Sequence, residues 1–260
     1  MTALATLSRR RFELTARTPR ELLVPLLTPI MFALVIAPAL KQALHTDAAY
    51  ESFVAIGTVG LLIPLNAMFA GIGVIVDREQ GAQRELLAAP VPRPLLVLGN
   101  LSVALAVTAL QVVTLIVVAL ARGIHFHVSV TGGLWFAAAA TLFAVGMYGA
   151  AETLANRVPK QEEYIARVPA VAILPWFLAG ALFPIGALPA GLTWVAKVLP
   201  LTHGLALMRY GLLGDGSGLH AIWGSGSTTG AAALSLVVVA AFAALLTAVS
   251  IRVFTRSALR

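Results

Sequence analysis

Apolar residues fall in long blocks along this chain, separated by short polar or proline-punctuated stretches, and the blocks set the architecture. Runs of about 20 or more such residues match the length of helix that crosses roughly 30 Å of hydrocarbon. Six spans are predicted, near 22–41, 53–76, 95–121, 133–154, 168–185 and 231–252. The first contains Pro25, Pro29 and Pro38. A span tolerates prolines only where neighbours satisfy the carbonyls they free, so this helix is expected to pack in protein over much of its length. It runs longer than the apolar core of a signal peptide and lacks a clean cleavage site, so it reads as a retained span.

Two segments depart from the block pattern. Residues 2–17 alternate Leu4, Leu7, Phe12 and Leu14 with Arg9, Arg10, Arg11, Glu13 and Arg17. That pattern fits an amphipathic helix lying on a membrane surface, or a basic tail that fixes topology. Between the fifth and sixth blocks, Phe183 to Gly230 is too long for a turn and still apolar in its first half. Pro184, Pro189 and Pro200 cut it into pieces too short to span, which predicts one or two re-entrant or interfacial helices followed by the Gly/Ser run Gly214 to Gly230. The fold class expected is all-α and integral to the membrane, with 1–21 as a preceding surface helix and 22–260 as one six-span domain.

Composition agrees: 59% of residues are hydrophobic, 11% are charged and the mean hydropathy is +0.92. A soluble domain carries about 25% charged residues. The net charge of +7 suggests a polyanionic partner until the charges are placed. With both termini inside, fourteen of the 18 basic residues fall on the inner side, leaving Lys41, Arg122, Lys197 and Arg209 outside. That bias orients a membrane protein and accounts for the charge without nucleic acid. The chain has no cysteine, so disulfides, thiolate nucleophiles and Cys-based metal sites are excluded.

Nothing in the sequence points to an enzyme. A phosphate-gripping loop needs lysine after glycine, and Lys41, Lys160 and Lys197 follow Leu40, Pro159 and Ala196. The spans hold almost no ionisable groups of the kind that couple carriers to ion gradients. Glu152 lies near the inner end of span four, placed to reach water or pair with Arg157. Asn66, Asn100 and Gln111 are intramembrane polar residues suited to interhelical hydrogen bonds; Asn66 is also a candidate for a translocation path. His125 and His127 read as a solvated loop, and His203 has neither an acid beside it nor a nucleophile motif.

One polar island remains, Asp77-Arg78-Glu79-Gln80-Gly81-Ala82-Gln83-Arg84-Glu85-Leu86-Leu87, stopped by Pro90-Val91-Pro92-Arg93-Pro94. Leaving it in hydrocarbon costs several kcal/mol, so it belongs at the aqueous boundary. It predicts a short helix with a sharp stop, either a solvated loop or a docking element.

The stretch from Asp77 to Val91 resembles the inner-loop signature of ABC-2 type permeases: an acidic-basic cluster, glycine, Glu-x-Leu-Leu and Pro-Val. Leu174-Pro175-Trp176-Phe177-Leu178 through Pro184, with Leu188-Pro189, and Leu199-Pro200-Leu201-Thr202-His203-Gly204 running to Arg209 are similar to further family segments, in the family's order. Ala82, Ala89, Pro92 and Ala179 depart from its usual hydroxyl residues. The resemblance implies that 77–89 is a cytoplasmic coupling helix docking on a separate ATP-binding subunit, with Asp77, Arg78, Glu79, Gly81, Arg84, Glu85, Leu86 and Leu87 at the contact. The N-terminal helix becomes a connecting helix beside it. Asn66, Phe69, Phe177 and Phe183 line a substrate path between two permease subunits, identical or related, and Pro184, Pro189 and Pro200 shape an external re-entrant hairpin acting as a gate. No cofactor or metal is expected on this chain; ATP and Mg sit on the partner. The nearest branch implied is that of drug and nodulation-factor exporters in the bacterial plasma membrane, with glycan exporters more distant.

Overall fold

The computed structural model describes residues 3–16, 26–46, 48–88, 91–127, 129–224 and 226–257. The described residues form helices joined by turns and short loops, with no strand among them. In chain order the helices are α1 (Ala3–Ala16), α2 (Leu26–Leu44), α3 (Ala48–Glu79), α4 (Ala82–Ala88), α5 (Arg93–Ala121), α6 (Val130–Ala155), α7 (161–178), α8 (Ala190–Val198), α9 (Pro200–Leu213), α10 (Ser217–Trp223) and α11 (Thr228–Ser257). Five of them, α2, α3, α5, α6 and α11, are long and apolar enough to cross a membrane.

The expected fifth span, 168–185, differs in its bounds. Its helix begins earlier, at Gln161, where Glu162, Glu163 and Arg167 supply a polar first part, and it ends at Leu178. Gly180, at φ +77°, takes the left-handed conformation that stops the helix, and 179–184 turn away. The stretch between α7 and α11 holds three helices rather than one or two, because Gly214 adds a further break before α10. Of these, α9 is buried from Leu201 to Met208 and packs on α6, α11 and α3, so it re-enters the bundle.

Helix α6 is the trunk, packing on α11, α9 and α3. Its glycines allow backbones to approach, as small residues do where there is no water to drive helices together. A Cβ at Gly149 would meet the Leu246 carbonyl carbon at 2.7 Å, and one at Gly211 would meet the Gly132 oxygen at 2.5 Å.

Helix α3 is bound to α7 along its length. Tyr50 Oη donates to the Leu182 carbonyl at 3.0 Å, Trp176 Nε1 to Gly57 at 2.8 Å and Tyr164 Oη to Met68 at 2.9 Å. Just past the end of α7, a Cβ at Gly57 would run into the Ala181 carbonyl oxygen.

The proline-containing α2 is not packed over much of its length: 17% of its apolar window is buried, against 67% for α3. Leu27, Met31, Leu34 and Val35 stay exposed. At Pro38 local chemistry satisfies the freed carbonyl instead; Pro25 and the first residues of the expected span, 22–25, lie outside the described residues. Pro38 removes the N–H that would bond Leu34, and Arg122 donates to that oxygen at 3.1 Å and to Ala33 at 3.4 Å. The π turn Phe32–Ile36 absorbs the register change between Pro29 and Pro38.

The α3–α7 seam predicts that Gly57→Ala destabilises the chain by roughly 1–3 kcal/mol through overpacking. Gly186→Ala, with open space around its Cβ, leaves stability unchanged. Thermal unfolding of both variants in detergent separates the two outcomes.

Candidate functional site

The polar island forms where five helices meet. α3 runs on through Asp77, Arg78 and Glu79, the chain breaks at Gly81, and α4 follows. Gly81 sits at φ +81°, a conformation that glycine adopts without a steric penalty, and its N–H closes onto the Arg78 carbonyl at 3.2 Å. Pro92 then caps α5 and Pro94 occupies its first turn, so the proline cluster starts α5 as well as stopping α4.

Behind α4 lies a crevice of about 30 Å³, room for about one water. Asp77, Gln83 and Leu86 line it with Leu7 of α1, Gly99 of α5 and Phe254 of α11. α1 packs on α5: Leu7 stands 3.0 Å from where a Gly99 Cβ would be, and Ser102 Oγ lies 2.9 Å from Ser8 Oγ. The N-terminal helix is therefore docked beside α4, and at its exposed surface Arg9 pairs with Glu13 at 2.7 Å. Leu86 faces this junction, whereas Glu79 and Glu85 are exposed. The side chains of Arg84 and Leu87 lie outside the described residues.

Arg78 has a different situation from its neighbours. Its guanidinium is half-buried and donates to Ala155 at 2.9 Å, Val158 at 2.7 Å and Pro159 at 3.1 Å. The first is the last carbonyl of α6 and the other two belong to the turn that follows it, so Arg78 ties the island to the trunk helix. Arg93, half-buried, reaches the Thr255 carbonyl near the end of α11 at 3.2 Å. Glu79 and Glu85 thus face outward, Asp77 turns to the crevice, and Arg78 and Arg93 hold the base together.

The remaining predicted residues separate into two groups. Asn66, 7% exposed, donates to Gln111 of α5, so it links α3 to α5. Phe69 on α3 and Phe177 on α7 are about half exposed and Phe183, in the turn after α7, is 38% exposed, all on elements that pack directly on one another. Pro184 precedes the short turn Ile185–Ala187, Pro189 caps α8 and Pro200 opens α9. Each stands where no helical N–H is needed.

Glu152 does not pair with Arg157. It is fully buried, accepts from Tyr148 Oη at 2.7 Å and bonds Asn156 Nδ2, because its position on α6 points inward while Arg157 lies past the helix end and is exposed. His125 and His127 are exposed in a loop as expected. His203 is buried between Ser235 Oγ and the Lys197 carbonyl, a structural arrangement.

Sequence reasoning missed the role of Arg209. Its guanidinium, 6% exposed, donates to Gly180 at 2.8 Å and Ala181 at 2.9 Å and lies 3.4 Å over the Phe53 ring. An arginine in the apolar stretch 201–213 was the available signal, since such a cation requires dedicated partners.

A family model described as ABC-2 type transporter matches residues 2–213. Transport permease ycf38 of Porphyra purpurea, whose name marks its activity as a candidate one, is 25% identical over 187 residues, covering 72% of this chain and 64% of that protein. The protein of the same name in Pyropia yezoensis is 24% identical over 199 residues, covering 75% of this chain and 68% of the relative.

Arg78→Ala orphans three carbonyls at and just past the end of α6 and is expected to cost about 2 kcal/mol. Glu79→Lys with Glu85→Lys, both at exposed positions, leaves the unfolding temperature within error of the parent. Thermal scans of the purified chain check both.

Proposed function

Because the chain belongs to the ABC-2 type transporter family, whose members are membrane transport components and not the ATPase itself, we propose that it is the permease subunit of an ATP-driven exporter. It moves a hydrophobic or amphipathic compound, such as an antibiotic or a lipid, out of the cytoplasm or inner leaflet. The observation that carries this reading is the exposed acidic face of Glu79 and Glu85, on a short segment whose base joins α1, α3, α5, α6 and α11. A push at that point reaches several spans together. The segment 77–89, the end of α3 together with α4, is then the coupling element, docking on a separate ATP-binding subunit that carries ATP and Mg.

In this reading both termini are cytoplasmic in a bacterial plasma membrane. Two permeases, identical or related, pair across the face bearing Phe69 and Phe177. Nucleotide binding favours one of two conformations, and the spans follow. The region of Pro184, Pro189 and Pro200 gates the outer exit. A permease for a lipid-linked glycan would share this machinery and differ in the path it lines.

Reversing charge at Glu79 and Glu85 is expected to abolish co-purification with the ATP-binding subunit and substrate-stimulated hydrolysis, with membrane insertion retained. Undiminished coupling in the double variant removes the docking assignment. The absence of native cysteine allows a sidedness test. Gln80→Cys should react with an impermeant maleimide only in inside-out vesicles and Ala190→Cys only in intact cells, and the reverse pattern overturns the topology.

A further inference from the structure

At the end of the bundle opposite the polar island lies a cavity of about 860 Å³, large enough for a small amphipathic molecule. Its walls come from the end of α2, the start of α3, the turn after α5 and the segment after α9. Two kinds of surface face it. Phe53, Ile124, Pro184 and Leu213 are apolar, and the turn after α5 contributes Arg122, His125 and His127.

The charges around the cavity are not equivalent. Glu51, 7% exposed, is paired with Lys41 at 3.1 Å. Asp215 accepts the Ser217 N–H at 2.8 Å. Among the described residues of the wall, both carboxylates therefore have a partner, as has the lysine. Arg122 uses one nitrogen, Nη1, on the Ala33 and Leu34 carbonyls and has no carboxylate within ion-pair distance among the described residues. A guanidinium has five N–H donors, so most of its fork is available on an exposed side chain next to two exposed imidazoles. The turn that carries them is held in place: Ile124 N–H bonds Ala119 at 3.0 Å and His127 N–H bonds Leu212 of α9 at 2.7 Å. The Thr46 hydroxyl, also at the cavity wall, is buried without a partner among the described residues.

We propose that this cavity binds the acidic headgroup of an amphipathic molecule, a phosphate ester, with Arg122 as the principal anchor. His125 and His127 add hydrogen bonds to the phosphoryl oxygens. The hydrocarbon lies along Phe53 and Leu213. The fork geometry of arginine suits phosphate, and the apolar wall selects a ligand that also carries a chain. As an exit station for exported cargo the cavity rests on the transport reading; the binding itself does not.

The test is isothermal titration of the full chain in detergent micelles, without any ATPase, so that it fails or succeeds independently of coupling. Three probes are used: dioctanoyl phosphatidic acid, dioctanoylglycerol with the same tails and no phosphate, and inorganic phosphate. The parent is expected to bind phosphatidic acid most tightly, and Arg122→Gln to weaken it about tenfold, the loss of one charge-assisted contact. Because Arg122 also holds two carbonyls in the middle of α2, His125→Glu provides the second variant. It places a carboxylate beside the guanidinium without touching those carbonyls and should weaken binding to a similar extent at an unchanged unfolding temperature. Equal affinity for dioctanoylglycerol overturns the anion site, equal affinity for inorganic phosphate overturns the amphipath, and unchanged binding in both variants overturns the location.

Discussion

Guanidinium groups held on backbone carbonyls organise this molecule. Arg78 closes the end of α6, Arg93 the end of α11, Arg122 the carbonyl that Pro38 releases in α2, and Arg209 the unwound end of α7. In hydrocarbon an unbonded carbonyl is expensive, so each break in a helix must be answered from elsewhere. Arginine suits the task because one planar group reaches two or three oxygens at once. Three irregular features of the fold, the π turn of α2, the early end of α7 and the re-entrant α9, each lie next to one of these contacts.

The same contacts determine which parts of the chain form a unit. Arg209 joins α9 to α7 and lies on a ring of α3, while Tyr50, Trp176 and Tyr164 fasten α3 to α7. These three elements are linked at several depths. The short helix α4 is connected to them through α3 and to the trunk through Arg78. Force applied at the island thus has a continuous path of packed and hydrogen-bonded groups to the far end of the bundle.

Much of this was legible in the sequence because hydrophobic blocks and proline positions are local signals. The four spans near 53–76, 95–121, 133–154 and 231–252 fall within α3, α5, α6 and α11. The stop before α5 follows from the prolines, whereas the helix expected over 77–89 from Asp77 begins only at Ala82, because α3 runs on through Glu79 and Gly81 breaks the chain. What the pattern missed depended on distant partners. That Glu152 would turn to Tyr148, that α2 would be sparsely packed, or that Arg122 would reach an oxygen 88 residues earlier in the chain cannot be read from spacing. Asn66 was open between two roles, and only the placement of Gln111 opposite it shows the bond it makes.

Helix α2 illustrates what such point attachment entails. Most of its surface faces away from the rest of the chain, and Arg122 grips it in the middle, beside the π turn that separates its two halves. A span fixed this way behaves as a boom on two stays, Arg122 at its midpoint and the Lys41–Glu51 pair near its C-terminal end, with an open flank between them. Its amides should therefore exchange with solvent sooner than those of the trunk, and its exposed flank is free to follow whatever lies beside it, lipid or protein.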